Sequence, residues 1–258
     1  MRGHRIRISP HRRAVIDLMW LLRGIPLVSV KRATNIAPLR AARETLTERI
    51  SWIAIATKAY ALVADEFPAL RRAYLRYPWP HFYQYPASAA SVTVERQHEG
   101  EASVFLLIVK NPSAMPLREI AATIRTAQSA PVEQIRGFER IIRLSRLPWI
   151  IRRLVWWTGY NLGRLRANNF GTFGLSVIAS HGAEPSHFIT PCATALNFGP
   201  IAADGSVEMR LMIDHRIIDG LDSARVLIRL EQVLNGAIAD ELAALAPACA
   251  PKNTLRAL

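Results

Sequence analysis

Between His11 and Arg23, apolar Val15, Leu18, Met19 and Leu22 recur three and four residues apart, which predicts an amphipathic helix ended by Gly24 and Pro26. LVSVKRA (27–33) reads as a strand, and Asn35 is placed to cap a helix running through Glu48. ISWIAIATKAYALVADEF (50–67) is apolar almost all round, the pattern of a helix packed on both sides, and Pro68 closes it. SVTVERQ and ASVFLLIV flank HEGE (98–101), a hairpin signal. PLREIAATIRTAQ (116–128) predicts a helix with proline at its start. TFGLSVIA, ATALNFGPI and SVEMRLMID read as three more strands, the last with Val207, Met209, Leu211 and Ile213 on one face. LDSARVLIRLEQVLN (221–235) is an amphipathic helix that Gly236 is expected to stop. YPWPHFYQYP (77–86) follows neither period and reads as irregular. Strands interleaved with helices and no internal repeat predict one α/β domain with a mixed sheet over 10–236. A basic arm (1–9) precedes it and a poorly ordered tail (237–258) follows.

Charge changes the picture of the surface. The formal net charge is +13 and the pI near 10.8, and among the 33 basic residues only Lys31, Lys58, Lys110 and Lys252 are lysines. Arginine forks suit phosphates and carboxylates, so anionic lipid, nucleic acid, a phosphorylated cofactor and an acidic carrier protein are all partners to consider. A plain arginine-rich, solvated surface accounts for the same totals. Cys192 and Cys249 make no disulfide framework and fit a reducing compartment; Cys192 reads as a small buried hydrophobe. The basic N-terminus is followed only by the short VIDLMWLL, which contains Asp17, so neither a signal peptide nor a membrane span is expected and a cytoplasmic location is.

The densest chemistry is DHRIIDG (214–220), where the last strand gives way to the last helix. One reading makes Asp219 a helix cap, Gly220 a turn and His215 a surface residue. The other makes His215 a general base, since imidazole is the side chain that ordinarily exchanges its proton near neutral pH. His181 and His187 have no partners at ligand spacing, and His81 reads as a loop residue, so no metal is expected.

Asp214, His215, Arg216, Asp219 and Gly220 complete the pattern D-H-R-x-x-D-G, which resembles the catalytic domain of the dihydrolipoamide acyltransferases of 2-oxo acid dehydrogenase complexes. GTFGLS (171–176), PLREIAATIR, WIAIATKAYALVADEFPAL and HRRAVIDLM resemble further family segments in the family's order, from about Arg12 to Gly236. The resemblance implies a chloramphenicol acetyltransferase-like fold, a two-layer mixed sheet with packed helices. It also implies roles. His215 takes the proton of the attacking group, Ser176 donates a hydrogen bond to the oxyanion, and Asp219 holds local structure through an arginine such as Arg12 or Arg13. Arg216 and Gly220 fall at the substrate. The family's histidine and serine come from neighbouring subunits of a trimer, so a homotrimer is implied. No cofactor is bound; the co-substrate is a thioester of coenzyme A or of an acidic acyl carrier protein.

This chain departs from that pattern in three places. No lipoyl or subunit-binding domain precedes residue 12, so a stand-alone enzyme is expected. Val177 and Ala179 stand where the family has asparagine and soon a glycine. Residues 137–170 form an insertion with seven arginines and one acidic residue, Glu139, interleaved with large apolar side chains. Trp149, Arg152, Arg153, Trp156 and Trp157 are expected to meet a membrane surface or an acyl chain. An ordinary packing helix with a basic outer face is the plainer reading of the same residues.

The expected function is therefore transfer of an acyl group from a thioester to a hydroxyl or amine, on a lipid at the membrane's inner face in one version. The alternative is a catalytically silent trimeric scaffold or membrane-binding module. Nucleic-acid binding lacks a reading motif. A serine hydrolase built on Ser176 lacks the glycine-flanked elbow that exposes a nucleophile.

Overall fold

A computed structural model describes residues 1, 3–176 and 189–246. Helix α1 (Pro10–Leu22) leads into strand β1 (Leu27–Asn35), then α2 (Ala37–Glu44) and the long α3 (Trp52–Glu66). The side chain of Asn35 accepts from the N–H of Ala37 at 2.9 Å, but the cap position is taken by Ile36 rather than Asn35, and the helix stops at Glu44. Strands β2 (Arg72–Leu75) and β3 (His81–Gln84) pair antiparallel, which places a strand inside the segment read as irregular. Its prolines lie outside the four paired residues, where they remove no ladder hydrogen bond.

The main sheet contains β4 (Ala89–His98), β5 (Glu101–Lys110), β6 (Phe173–Ser176), β7 (Thr194–Phe198) and β8 (Ser206–Asp214) together with β1. The strand order is β1-β8-β7-β6-β4-β5. Pairs β4–β6 and β6–β7 are parallel and the rest antiparallel, so the sheet is mixed. The β4–β5 turn places Glu99 and Gly100 at φ 51° and 79°, the left-handed pair that a two-residue hairpin needs.

One sheet face is apolar but for Thr194 near its centre, whose hydroxyl accepts from Tyr60 at 2.7 Å. Val92, Phe105, Phe173, Leu196 and Leu211 pack there against α3, α4 (Leu117–Ser129) and α8 (Gly220–Val233). The apolar run in α3 is explained by this burial, because Ala56, Tyr60 and Val63 are all enclosed. The other face divides in two. Its centre carries Ser91, Ser176 and Asn197, which are polar and buried. At the β5 edge it is apolar and is covered by the 137–170 segment, which folds into α5 (Arg136–Ser145), α6 (Trp149–Asn161) and α7 (Gly163–Phe170). These pack with α1 into a second core of Ala14, Leu22, Trp156, Tyr160 and Phe170.

The chain does not stop its helix at Gly236. A π-turn over Leu234–Ile238 carries it into α9 (Ala239–Leu245), where Leu242 is fully buried. The folded domain thus extends beyond the expected boundary, because Ile238, Ala239 and Leu242 continue the apolar stripe that packs on the main core.

Candidate active site

The sequence DHRIIDG does what a sharp exit from a strand requires. Asp214 ends β8 with its N–H on the carbonyl of Ala193 at 2.8 Å, and its own carbonyl accepts from Ile217 at 2.9 Å, closing a turn. His215 N–H donates to Pro26 O at 3.0 Å, tying the turn to the start of β1. The Asp214 carboxylate is fully buried and is neutralised inside the motif. Arg216 grips it with Nε at 2.8 Å and Nη2 at 2.6 Å, and the Arg216 backbone N–H adds a third bond at 3.1 Å. This bidentate fork raises the Arg216 pKa against a desolvation that acts the other way and is the larger effect considered alone. The guanidinium also lies 4.5 Å from the ring centre of Tyr74.

The imidazole of His215 is therefore held from below. Its Nδ1 lies 3.2 Å from Ile218 O and 3.4 Å from an Asp219 carboxylate oxygen. A carbonyl oxygen only accepts, so Nδ1 is the donor in this contact. The side chain is 49% exposed, which leaves room for a reacting group. Asp219 occupies the position before α8, but its carboxylate makes no capping bond; its backbone carbonyl accepts from Ser223 N and Oγ instead. Arg13, one of the two partners expected for Asp219, donates to Ile8 O. The arginine–carboxylate pair of this motif is Arg216 with Asp214, two residues apart in sequence and closed without distant residues. At Gly220 an added Cβ would meet open space within 4 Å.

Ser176 ends β6 and is buried. The glycines before it have separate reasons. Gly171 sits at φ 81° with Ala89 O 2.8 Å from where a Cβ would be, and at Gly174 a Cβ would meet Ala195 at 3.0 Å. Ser176 does not meet His215 within one chain. It pairs with Asn197, Asn197 pairs with Arg210, and His215 lies five residues beyond Arg210. At about 3.3 Å per residue the two are roughly 17 Å apart along the strands, besides being two strands apart across the sheet.

Sequence reasoning missed Asn197. It stands beside Ser176 on the same face, is almost wholly buried, and neither Oδ1 nor Nδ2 has a partner among the described residues. An alternating strand gives the face of each residue but not which neighbours surround it, so ATALNFGPI held no sign of this. Ser91 Oγ, on the adjoining strand, is likewise buried and unpaired. A buried amide with both ends open is uncommon in a folded chain.

Helix α7 braces the motif from the other side. Arg166 is buried, donating to Tyr74 O at 2.9 Å and Pro191 O at 2.8 Å, with Tyr160's ring 4.0 Å away. The Tyr160 hydroxyl is pushed up in pKa by burial, an effect that Arg166 opposes. Cys192 is buried and its thiol donates to Phe170 O at 3.1 Å. Among the described residues no group of three or more His, Cys, Asp or Glu stands at metal-binding spacing; His181, His187, Val177 and Ala179 fall outside them.

No family model matches the sequence, and no curated protein matches it. Solved structures do match. A probable dihydrolipoamide acetyltransferase from Listeria monocytogenes superimposes with a TM-score of 0.65 at 18% identity, covering 90% of this chain and 94% of that one. The fold is that of the dihydrolipoamide acyltransferase catalytic cores. The acetyltransferase of Azotobacter vinelandii, solved to investigate a serine, a histidine and an asparagine in its catalytic mechanism, agrees equally well. Its TM-score is 0.65 at 15% identity over 92% and 94% of the two chains. The cubic core of a pyruvate dehydrogenase complex gives 0.60 at 16% identity over 92% and 94%. The acyltransferase-core likeness thus spans about nine-tenths of the chain.

The insertion itself is sorted by the helical period of α6. Arg152, Trp156 and Tyr160, four residues apart, face inward; Ile150, Leu154 and Trp157 face out. Arg152, expected at a membrane, is 9% exposed and forks onto the buried Asp17 of α1, with Nη2 to Oδ1 at 3.3 Å. Trp156, expected there too, is packed on Phe170. Both turn away from solvent, the charge toward a buried partner and the ring into a core, so neither lies on the outward face of α6. Arg153 lies between the rings of Trp20 and Trp149, 4.7 and 5.3 Å from their centres. Trp149 is 60% exposed, and Trp157 meets Tyr77 of the β2–β3 connection at 5.4 Å.

Proposed function

We propose that this chain is an acyltransferase that moves an acyl group from a thioester to a hydroxyl or amine. His215 is its general base, and Ser176 of a second copy its oxyanion donor. The observation that carries the reading is the His215 ring, held at Nδ1 by Ile218 O at 3.2 Å with its side chain half exposed. In the reaction Nε2 takes the proton of the attacking O–H or N–H. The new C–O or C–N bond forms, the C–S bond breaks, and the proton passes from imidazole to the leaving thiolate. One well-placed oxyanion donor is worth roughly 3 kcal/mol. Asn197 Nδ2 beside Ser176 supplies a second donor in this scheme.

Two copies are needed because Ser176 and His215 of one chain are too far apart to share a carbonyl, and a homotrimer is the assembly proposed. One of the similar structures is itself the core of a large assembly. The donor is a thioester of coenzyme A or of an acidic carrier protein, attracted by the +13 charge. Asp219 and Arg216 keep the motif's shape, and the absence of a side chain at Gly220 leaves room for substrate. The outward face of α6, with Trp149, Ile150, Leu154 and Trp157 beside arginines, is proposed to rest on an anionic membrane. Among the described residues no helix is long and apolar enough to cross one.

The decisive experiment incubates the purified protein with acyl-CoA and acyl-carrier pools plus candidate acceptors and reads released thiol. His215→Ala should abolish release while the protein stays folded. Equal release by wild type and variant would overturn the assignment.

A further inference from the structure

The insertion encloses a cavity of about 340 Å³ against the β5 edge of the sheet, four strands away from the β8 that carries His215. Leu106 and Ile108 of β5, Ile141 of α5, Trp156 of α6, and Leu165 and Phe170 of α7 form its wall. This volume and lining suit a small apolar ligand. Three features make it more than a packing gap. First, two helical glycines border it. At Gly137 a Cβ would meet nothing within 4 Å, and at Gly159 it would press on Asn169 Nδ2 at 3.3 Å. Glycine weakens a helix relative to alanine, and at Gly137 no packing contact calls for it. Second, Trp156 in the wall has a buried Nε1 with no acceptor among the described residues. Third, Arg140 at the rim is held by Asn169 Oδ1 at 3.0 Å and meets no carboxylate among the described residues. Gly159 is what lets Asn169 reach that position.

We propose that this cavity binds one aliphatic chain carrying an anionic head, the chain against the apolar wall and the head on Arg140. The same chemistry is offered by a free acyl thioester or by a membrane lipid. The site is independent of the His215 reading.

The test is calorimetric titration of the full chain with dodecanoate and dodecanol. Saturable one-to-one binding of dodecanoate, with a negative heat-capacity change, is expected. Gly137→Phe, which fills the mouth, should weaken it at least about tenfold. Leu165→Asp at the exposed rim should do the same by a second route, should Gly137→Phe disturb folding. Arg140→Gln should erase the preference for dodecanoate over dodecanol. His215→Ala should bind as wild type does, so failure of the catalytic reading and failure of this one are separable. Dodecanoyl-CoA binding more tightly than dodecanoate would identify the thioester as the source; uptake from phosphatidylglycerol vesicles would identify the lipid. No saturable binding, or binding indifferent to both Gly137→Phe and Leu165→Asp, overturns the proposal.

Discussion

The Nδ1 of His215 faces the carbonyl oxygen of Ile218 at 3.2 Å. A carbonyl oxygen only accepts, so the ring donates from Nδ1 and is anchored on that side. Replacing the imidazole should therefore strike the rate and little else. His215→Ala is expected to lower turnover by about 10²–10⁴. Because the ring is half exposed, the thermal midpoint should hardly move, and a melting curve beside the thiol-release assay checks both halves.

The distance between Ser176 and His215 within a chain gives a sharper test. Ser176→Ala and His215→Ala should each be inactive alone. Dissociated together and reassembled, they should regain part of the activity, since some sites then draw an intact serine and an intact histidine from different copies. Mixtures that stay at the level of the separate variants would disprove a shared site. Asn197→Ala, assayed alongside, should lower turnover by about 10²–10³, as loss of an oxyanion donor does.

Arg152 and Ile150 are two residues apart on α6 and should fail in different ways. Arg152→Met leaves Asp17 buried with one of its charges removed, at an expected cost of about 3–5 kcal/mol in urea unfolding. Vesicle binding should survive if the variant folds. Ile150→Asp touches no core and should keep stability within about 0.5 kcal/mol. It should also weaken flotation with anionic vesicles. Flotation unchanged by Ile150→Asp would mean that this face meets something other than lipid.

Burial pushes the Cys192 thiol up to about 12, opposed by its bond with Thr190 and by Arg166. Thiolate is the reactive form, so at pH 8.5 the native protein should resist alkylation there. In a Cys249→Ser background, one equivalent of reagent should react only after unfolding. Rapid native labelling would show that the second core opens readily.

Local pattern carried much of this molecule. The β4–β5 hairpin, the alternation of β8 and the apolar α3 each follow from residues within one or two turns of one another, and their periods survive any tertiary context. DHRIIDG likewise announced its turn, because the Asp214–Arg216 clasp spans three residues. What the chain could not declare on its own depended on partners far away in sequence. Arg152 and Arg153 are neighbours of identical type and both reach Asp17, more than 130 residues earlier, yet only Arg152 forks onto it and is buried, while Arg153 lies between two tryptophan rings. Gly236 reads as a stop, yet Leu242 finds an apolar face and the helix continues. Ser176 and His215 look like one site in a list of motifs, and strand register sets them at different ends of the sheet. Periodicity assigns a side chain to a face; only the folded arrangement decides what that face meets, since burial energy and ion pairing belong to both partners at once.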